Sequence, residues 1–448
     1  MARAHVCASL LGLGLMLAAS STDARELEFF VENRLGGDSN VFRRTEESTG
    51  NLRPKRGGVW EISPRITLRD SRDELEYDFR YQPTYERFFA VEDGEDEDDF
   101  SGFDHTASAM YLWRVSPSTS VGADGRFTRQ RRLREGFLDL GLVPDPTLEQ
   151  TDNEYIQRGT GNVSVSHALS PRFSVQGTYA FDDLDVSEQD QSDTRAHTFS
   201  TGFSYMVGAH TQLGVTGSFR QRATRASVDP DGDPTTGPPA DPTLGLREFR
   251  SETDTYDVSF SISQQVTPHF SVGVAVGPSF FETRDEDSLG NVSFSSDDSF
   301  FAAISATKEW RFGEVEARYT RSEGGGGGAA AASSILDQVS LAVKWTPRRN
   351  WVLRLRGAYA HRESVASDAF FGRDTRNDFY NASASAQRRL TQNLSVLVSL
   401  RYSRSELDEY TPFIPVSGGF LVDVSTRATT EVVQGFLSLR YTFDPYVF

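Results

Sequence analysis

The chain is short of three things that would each open a class of function. Cysteine is nearly missing: the only one, Cys7, sits in the N-terminal apolar stretch. Beyond it there is no disulfide, no thiolate metal site and no cysteine nucleophile. Long apolar runs are missing too. No segment after residue 20 is a spanning helix, which needs roughly 20 mostly apolar residues. Positive charge is the third shortage, with 46 basic residues against 64 acidic ones and a net charge of −18. That balance disfavours nucleic acid as a partner, because such partners require a basic face. Nor is there a Gly-x-Ser-x-Gly elbow, or a Ser-x-x-x-Asn-His or His-Asp pairing in a long connection. His105, His167, His197, His210, His269 and His361 therefore read as isolated interfacial or lumenal side chains. Neither enzymatic activity, cofactor nor metal is expected.

Residues 1–24 have the pattern of a secretory signal. Arg3 and His5 precede an apolar stretch from Val6 to Ala18, and small residues follow. Cleavage fits after Ser20 or after Ala24, with Ala24 preferred. Residues 25–448 are then one domain.

That domain repeats one short pattern, apolar and polar residues in alternation. Trp351, Leu353, Leu355 and Tyr359 share one strand face, with Arg354 and Arg356 on the other. The same split occurs in Leu75–Gln82, Leu213–Arg222, Phe270–Gly277, Val339–Trp345, Leu394–Tyr402 and Leu437–Phe443. The pattern predicts about eighteen strands, within a range of sixteen to twenty, because 26–34, 57–68 and 154–168 alternate less cleanly. Connections alternate in kind. Tight ones such as Ser116-Pro117-Ser118, Ser170-Pro171-Arg172 and Thr391-Gln392-Asn393 hold turn-forming residues. The others, at 131–153, 224–251, 285–296, 322–334, 362–377 and 404–428, are long and polar. These features predict an all-β fold: a single closed antiparallel transmembrane barrel with short periplasmic turns and long extracellular loops. A soluble sandwich or β-helix would need a dry core, yet the second face carries Arg, Asp, Ser and Thr. Pro64, Pro83 and Pro278 lack a ladder donor and are expected at a rim or a bulge.

Around the first loop, Gly36-Gly37-Asp38-Ser39-Asn40-Val41-Phe42-Arg43 follows the first strand. Tyr81-x-Pro83-x-Tyr85-Glu86-Arg87-Phe88 and Phe103-Asp104-His105 come after it. That succession resembles the outer-membrane β-barrel porin family of Gram-negative bacteria, best over residues 26–180. The resemblance implies the cell outer membrane as location, and some members are associated with exopolysaccharide secretion. It brings no catalytic residues.

Candidate functional residues fall into three groups. Inward-facing arginines, chiefly Arg354, Arg356, Arg401, Arg440, Arg220 and Arg318, with Arg80, Arg126 and Arg222, would line the lumen. They form either a basic strip that attracts anions or one half of neutralising pairs with Glu76, Asp78, Asp124, Asp257 and Glu316. Trp113, Trp310, Trp345, Trp351 and Tyr441 border tight turns and form an interfacial girdle. Phe448, Tyr446 and Phe443 resemble the C-terminal signal read by the outer-membrane barrel assembly machinery. The acidic block at 92–99 and the Asp229, Asp231, Asp233 triplet read as solvated loops, since no bidentate Glu follows at hand-motif spacing. A secondary role in divalent-cation bridging to lipopolysaccharide is expected of them. The Gly324–Ala332 run reads as a flexible loop. Neither a plug domain nor a passenger is expected. Two functions remain: a passive channel or export conduit for polar, anionic solutes or polysaccharide, and a non-conducting scaffold barrel of an exopolysaccharide secretion system. Outer-membrane lipid and lipopolysaccharide are partners under both.

Overall fold

A computed structural model describes residues 26–39, 56–89, 102–130, 156–186, 192–228, 247–286, 292–324, 334–364, 374–415 and 421–447. The expected signal segment 1–24, the acidic block 92–99, the 229–233 triplet, residues 325–332 and Phe448 lie outside the described residues.

The first six strands are β1 (Glu26–Asp38), β2 (Gly57–Ser71), β3 (Leu75–Phe89), β4 (Gly102–Ser116), β5 (Thr119–Gln130) and β6 (Ile156–Ser170). Next come β7 (Phe173–Val186), β8 (Ser192–Met206), β9 (Thr211–Val228), β10 (Arg247–Thr267), β11 (Phe270–Glu286) and β12 (Val292–Trp310). The last full strands are β13 (Gly313–Gly324), β14 (Ser334–Arg348), β15 (Trp351–Ser364), β16 (Asp374–Arg389), β17 (Leu394–Pro415) and β18 (Leu421–Thr442). Each pairs antiparallel with its neighbours in sequence, and β18 pairs with β1 from Phe30↔Thr442 to Asp38↔Gln434. The sheet is thus a closed eighteen-strand barrel. A two-residue β19 (Tyr446–Val447), set off by Asp444 and Pro445, continues the seam beside Leu27 and Glu26.

Turn chemistry explains the hairpins. The short connections hold two to four residues. In them a hydroxyl accepts backbone N–H groups: Ser170 Oγ from Phe173 at 3.1 Å and Thr391 Oγ1 from Leu394 at 3.0 Å. Such local bonds satisfy donors that the ladder cannot reach. The long connections include less irregular chain than the polar composition implies. β17 and β18 stay paired up to Pro415↔Leu421, so most of 404–428 is strand. The ladder goes on where the alternation in the sequence fades.

Residues opposite each other in the ladder share a face, so the registers fix which side points out. Outward positions include Phe203, Val215, Phe260, Val276, Leu341, Leu355, Leu400 and Leu437, each 40–58% exposed. A continuous apolar surface of this kind is one that lipid, not water, solvates. Aromatic rings bound it at both ends. Trp113, Tyr205, Trp310, Trp345 and Tyr441 are exposed beside the short turns. Toward the other end rings pair between strands: Tyr85–Phe103, Tyr179–Phe199, Phe219–Tyr256 and Tyr359–Tyr380, with centroids 4.8–5.1 Å apart. From Trp351 to Tyr359 the strand climbs about 26 Å at roughly 3.3 Å per residue, and strand tilt brings this near the band height of outer-membrane barrels.

Almost every buried residue points the other way. Apart from Asp70, Thr429 and Gly161, the buried residues among those described lie on the inward face. Val59, Phe88, Leu184, Phe281, Leu336, Ala360 and Phe379 gather toward the long-connection end, where the lumen is packed. Arg318, Arg356, Arg126 and Asp124, lower in the barrel, are exposed, so that half is wet.

The prolines depart from the expectation of rim or bulge. Pro278 pairs in register with Phe300 inside β11. Pro64 lies at the centre of β2, where the β2–β3 register sets it opposite Pro83, and the ladder is interrupted between Ile62↔Tyr85 and Ile66↔Tyr81. Neither proline has an N–H to give, so the two bonds that position would exchange are both lost. The side chains of Ser63 and Thr84 bridge the gap on the inner side at 2.9 Å.

Candidate functional site: an arginine wall in the lumen

Closing the barrel brings the end of the chain against its beginning, and arginines collect there. Glu32 on β1 is buried to 4% exposure. It accepts from Arg34 Nε at 2.8 Å and meets Arg440 Nε, from β18, at 2.9 Å. Arg34 also reaches Glu61 on β2 at 3.3 Å. Arg65 stacks its guanidinium 4.4 Å over the Phe30 ring, and its Nε is buried with no hydrogen-bond partner. From β15, Arg354 reaches Gln387 at 3.4 Å, and Gln387 passes its own donor to Ser395 at 3.1 Å. The charges acting on Arg354 are those of Arg440 and Arg356.

A cavity of about 380 Å³ opens among these groups, lined by Phe30, Glu32, Arg34, Arg65, Arg389 and Arg440, with amides from Gln82, Gln387, Gln392 and Asn393. Six guanidinium groups (Arg34, Arg65, Arg354, Arg356, Arg389, Arg440) share this wall with three carboxylates, Glu28, Glu32 and Glu61. The surplus is positive. Of the other inward charges, Arg80 pairs with Asp78 at 2.7 Å and Arg158 with Asp182 at 2.6 Å, while Asp257 accepts from the neutral Ser218 hydroxyl at 3.1 Å.

The six lumen arginines expected from the sequence divide. Arg354, Arg356 and Arg440 come together. Arg401 faces inward on β17, opposite Ser383 and Gln434. Arg220 lies on β9 between Thr198 and Thr255, and Arg318 on β13 between Ser305 and Ser340. Arg34, Arg65 and Arg389 complete the group without having been anticipated. Their signal was the even strand number, which requires the first strand to lie beside the last.

No family model matches the chain, and no curated protein matches it. Among solved structures, the ferric citrate transporter FecA aligns over 93% of this chain and 79% of its own, at 8% identity and a TM-score of 0.44. The ferric preacinetobactin receptor BauA from Acinetobacter baumannii gives 10% identity, 93% and 80% coverage and a TM-score of 0.45. The siderophore receptor PirA from Pseudomonas aeruginosa gives 11%, 94%, 81% and 0.40.

On the outer face the histidines are held by neighbours rather than left single. His105 pairs with Tyr81 at 3.0 Å, His197 with Tyr179 at 2.9 Å, and His167 with Thr119 at 2.8 Å. His361 Nδ1 lies 2.9 Å from Asp378 Oδ1, which also accepts the Tyr359 hydroxyl at 2.6 Å. This His–Asp pair spans two strands and was invisible to a search of loops. Among the described residues no group of three or more His, Cys, Asp or Glu could hold a metal ion. Of the girdle residues, Trp351 is half-buried, with the Arg388 guanidinium 5.5 Å from its ring. At the seam, Phe443 donates its N–H to Phe29 at 2.9 Å and Tyr446 pairs in register with Leu27.

Proposed function

We propose that this protein is an outer-membrane passive channel for polar, anionic solutes, oriented with its short turns in the periplasm. The observation that carries the reading is the basic wall, six guanidinium groups against three carboxylates on one side of a wet lumen. In a low-dielectric tube such an imbalance concentrates anions and repels cations. An export path for an acidic polysaccharide is the polymeric form of the same reading. Phe443, Tyr446 and Phe448 serve as the signal for the barrel assembly machinery, and residues 1–24 direct export. Purified protein in planar bilayers tests the channel: stepwise conductance with anion preference is expected, and silence across voltage and salt would sink it.

One observation favours a second reading. The apolar side chains packed inside the long-connection end, Phe88 and Phe379 among them, narrow the lumen there. A barrel occluded at that end would act as a scaffold for an envelope complex, including one that secretes exopolysaccharide, and would remain silent in the same bilayers.

A further inference from the structure

The facing prolines and the arginine cavity are two sides of one place in the wall. Arg65 and Gln82, which line the cavity, are the residues next to Pro64 and Pro83. Outside, Pro64 is exposed among Ile62, Ile66 and Tyr81 in the apolar belt. From Ile62 to Ile66 the wall has no backbone pair over about 13 Å of strand. Parting β2 from β3 there breaks only the Ser63–Thr84 side-chain bond. Two proline carbonyls also point into the gap without the N–H donors that an intact ladder would supply, a costly arrangement in hydrocarbon.

We propose that this slot is a lateral opening for a single-chain anionic amphiphile, held by its head in the arginine cavity while its chain leaves between Pro64 and Pro83 into the membrane. The head is recognised by Arg65, whose Nε is buried without a partner, and by Arg34, Arg389 and Arg440 across the cavity. At about 380 Å³ the cavity is near the small end of ligand pockets, roughly 300–1,000 Å³. It has room for a head group and sends the chain elsewhere. The slot draws on the arginine wall of the channel reading but not on conduction. A silent barrel that binds amphiphile overturns the channel alone, and a conducting barrel that fails to bind overturns the slot alone.

The test uses the full chain in lipid nanodiscs and N-lauroylglycine, with empty nanodiscs subtracted. This probe has a carboxylate, a single chain, and an amide N–H to offer a proline carbonyl. N-acetylglycine is the same head without the chain. Wild type is expected to bind N-lauroylglycine at least tenfold more tightly than N-acetylglycine. Arg65→Gln should weaken both. Ser63→Cys with Thr84→Cys, in a Cys7→Ser background, allows the slot to be clamped and released in one sample, since opposed positions of an antiparallel pair suit a disulfide. Oxidation should cost tenfold or more in N-lauroylglycine affinity and leave N-acetylglycine unchanged, and reduction should restore it. Pro64→Val with Pro83→Val, which can rebuild the ladder, should act like oxidation. Equal affinity for the two probes in wild type, or N-lauroylglycine affinity indifferent to the clamp, overturns the proposal.

Discussion

Arg440 on the last full strand meets Glu32 on the first at 2.9 Å, and Arg34 meets the same carboxylate oxygen from within the first strand. One buried acid thus serves two guanidinium groups across the closing seam. Removing one partner of a buried ionic group costs about 3–5 kcal/mol, because the remaining charge stays desolvated. Glu32→Gln should therefore lower stability by roughly 3 kcal/mol in urea unfolding from micelles. Glu363→Gln removes the exposed pair with Arg376 and should change stability by about 0.5 kcal/mol or less. Equal effects from the two substitutions would show that the seam ion cluster is solvated.

The basic wall makes a separate forecast about selectivity. Under a tenfold KCl gradient, Arg354→Ser, Arg356→Ser and Arg401→Ser combined should move the reversal potential toward cation preference. Adding Arg389→Ser should extend the shift. Arg220→Ser, on the distant strand β9, should move it much less. An unchanged reversal potential in the first set refutes the basic strip.

Leu341 and Ser340 are neighbours on β14 facing opposite ways, and Leu341 is 50% exposed. If water bathed the outer face, Leu341→Arg would be nearly harmless. In lipid, an arginine near mid-bilayer costs about 2–4 kcal/mol, and folding efficiency into vesicles should fall to match. Ser340→Arg, which points into the lumen, should fold as wild type does.

Two glycines in the wall should behave differently. A Cβ on Gly277 would run into the Val258 carbonyl of β10, whereas one on Gly217 meets nothing within 4 Å. Gly277→Ala should cost about 2 kcal/mol or more, in the range of backbone and overpacking effects. Gly217→Ala should leave the unfolding midpoint level or slightly raised, since it restricts the unfolded chain. Heat-modifiable migration on gels reads both.

Much of the fold was legible because a period of two records the face of every residue. It fixed Leu341 as outward and Arg354 as inward without reference to any partner. Turn residues such as Ser170 and Thr391 likewise announce themselves locally. What periodicity does not record is which strands beyond the adjacent ones lie near. Arg34 and Arg65 sit on β1 and β2, where the alternation is least clean, and their link to Arg440 exists only through closure. The late strands look poor in acids until closure brings Glu32 and Glu61 alongside. Strand length was also misjudged: in β17 and β18 backbone pairing continues past the alternating segments, without a hydrophobic signature in the sequence. The facing of Pro64 and Pro83 needed a register, which composition does not supply.

The seam also bears on the order in which the molecule is made. Gln434 donates to Asp38 at 2.8 Å across 396 residues of sequence, so β1 waits as a bare edge until β18 has been synthesised. Bringing segments so remote together is entropically slow. Meanwhile a partly built sheet presents two unpaired edges and its whole greasy face, which is the template for aggregation. A chain closed in this way cannot mature piecemeal. It has to be held unfolded and then zipped in a single late event, and any truncation before β18 should leave a sticky, degradable ribbon rather than a smaller barrel.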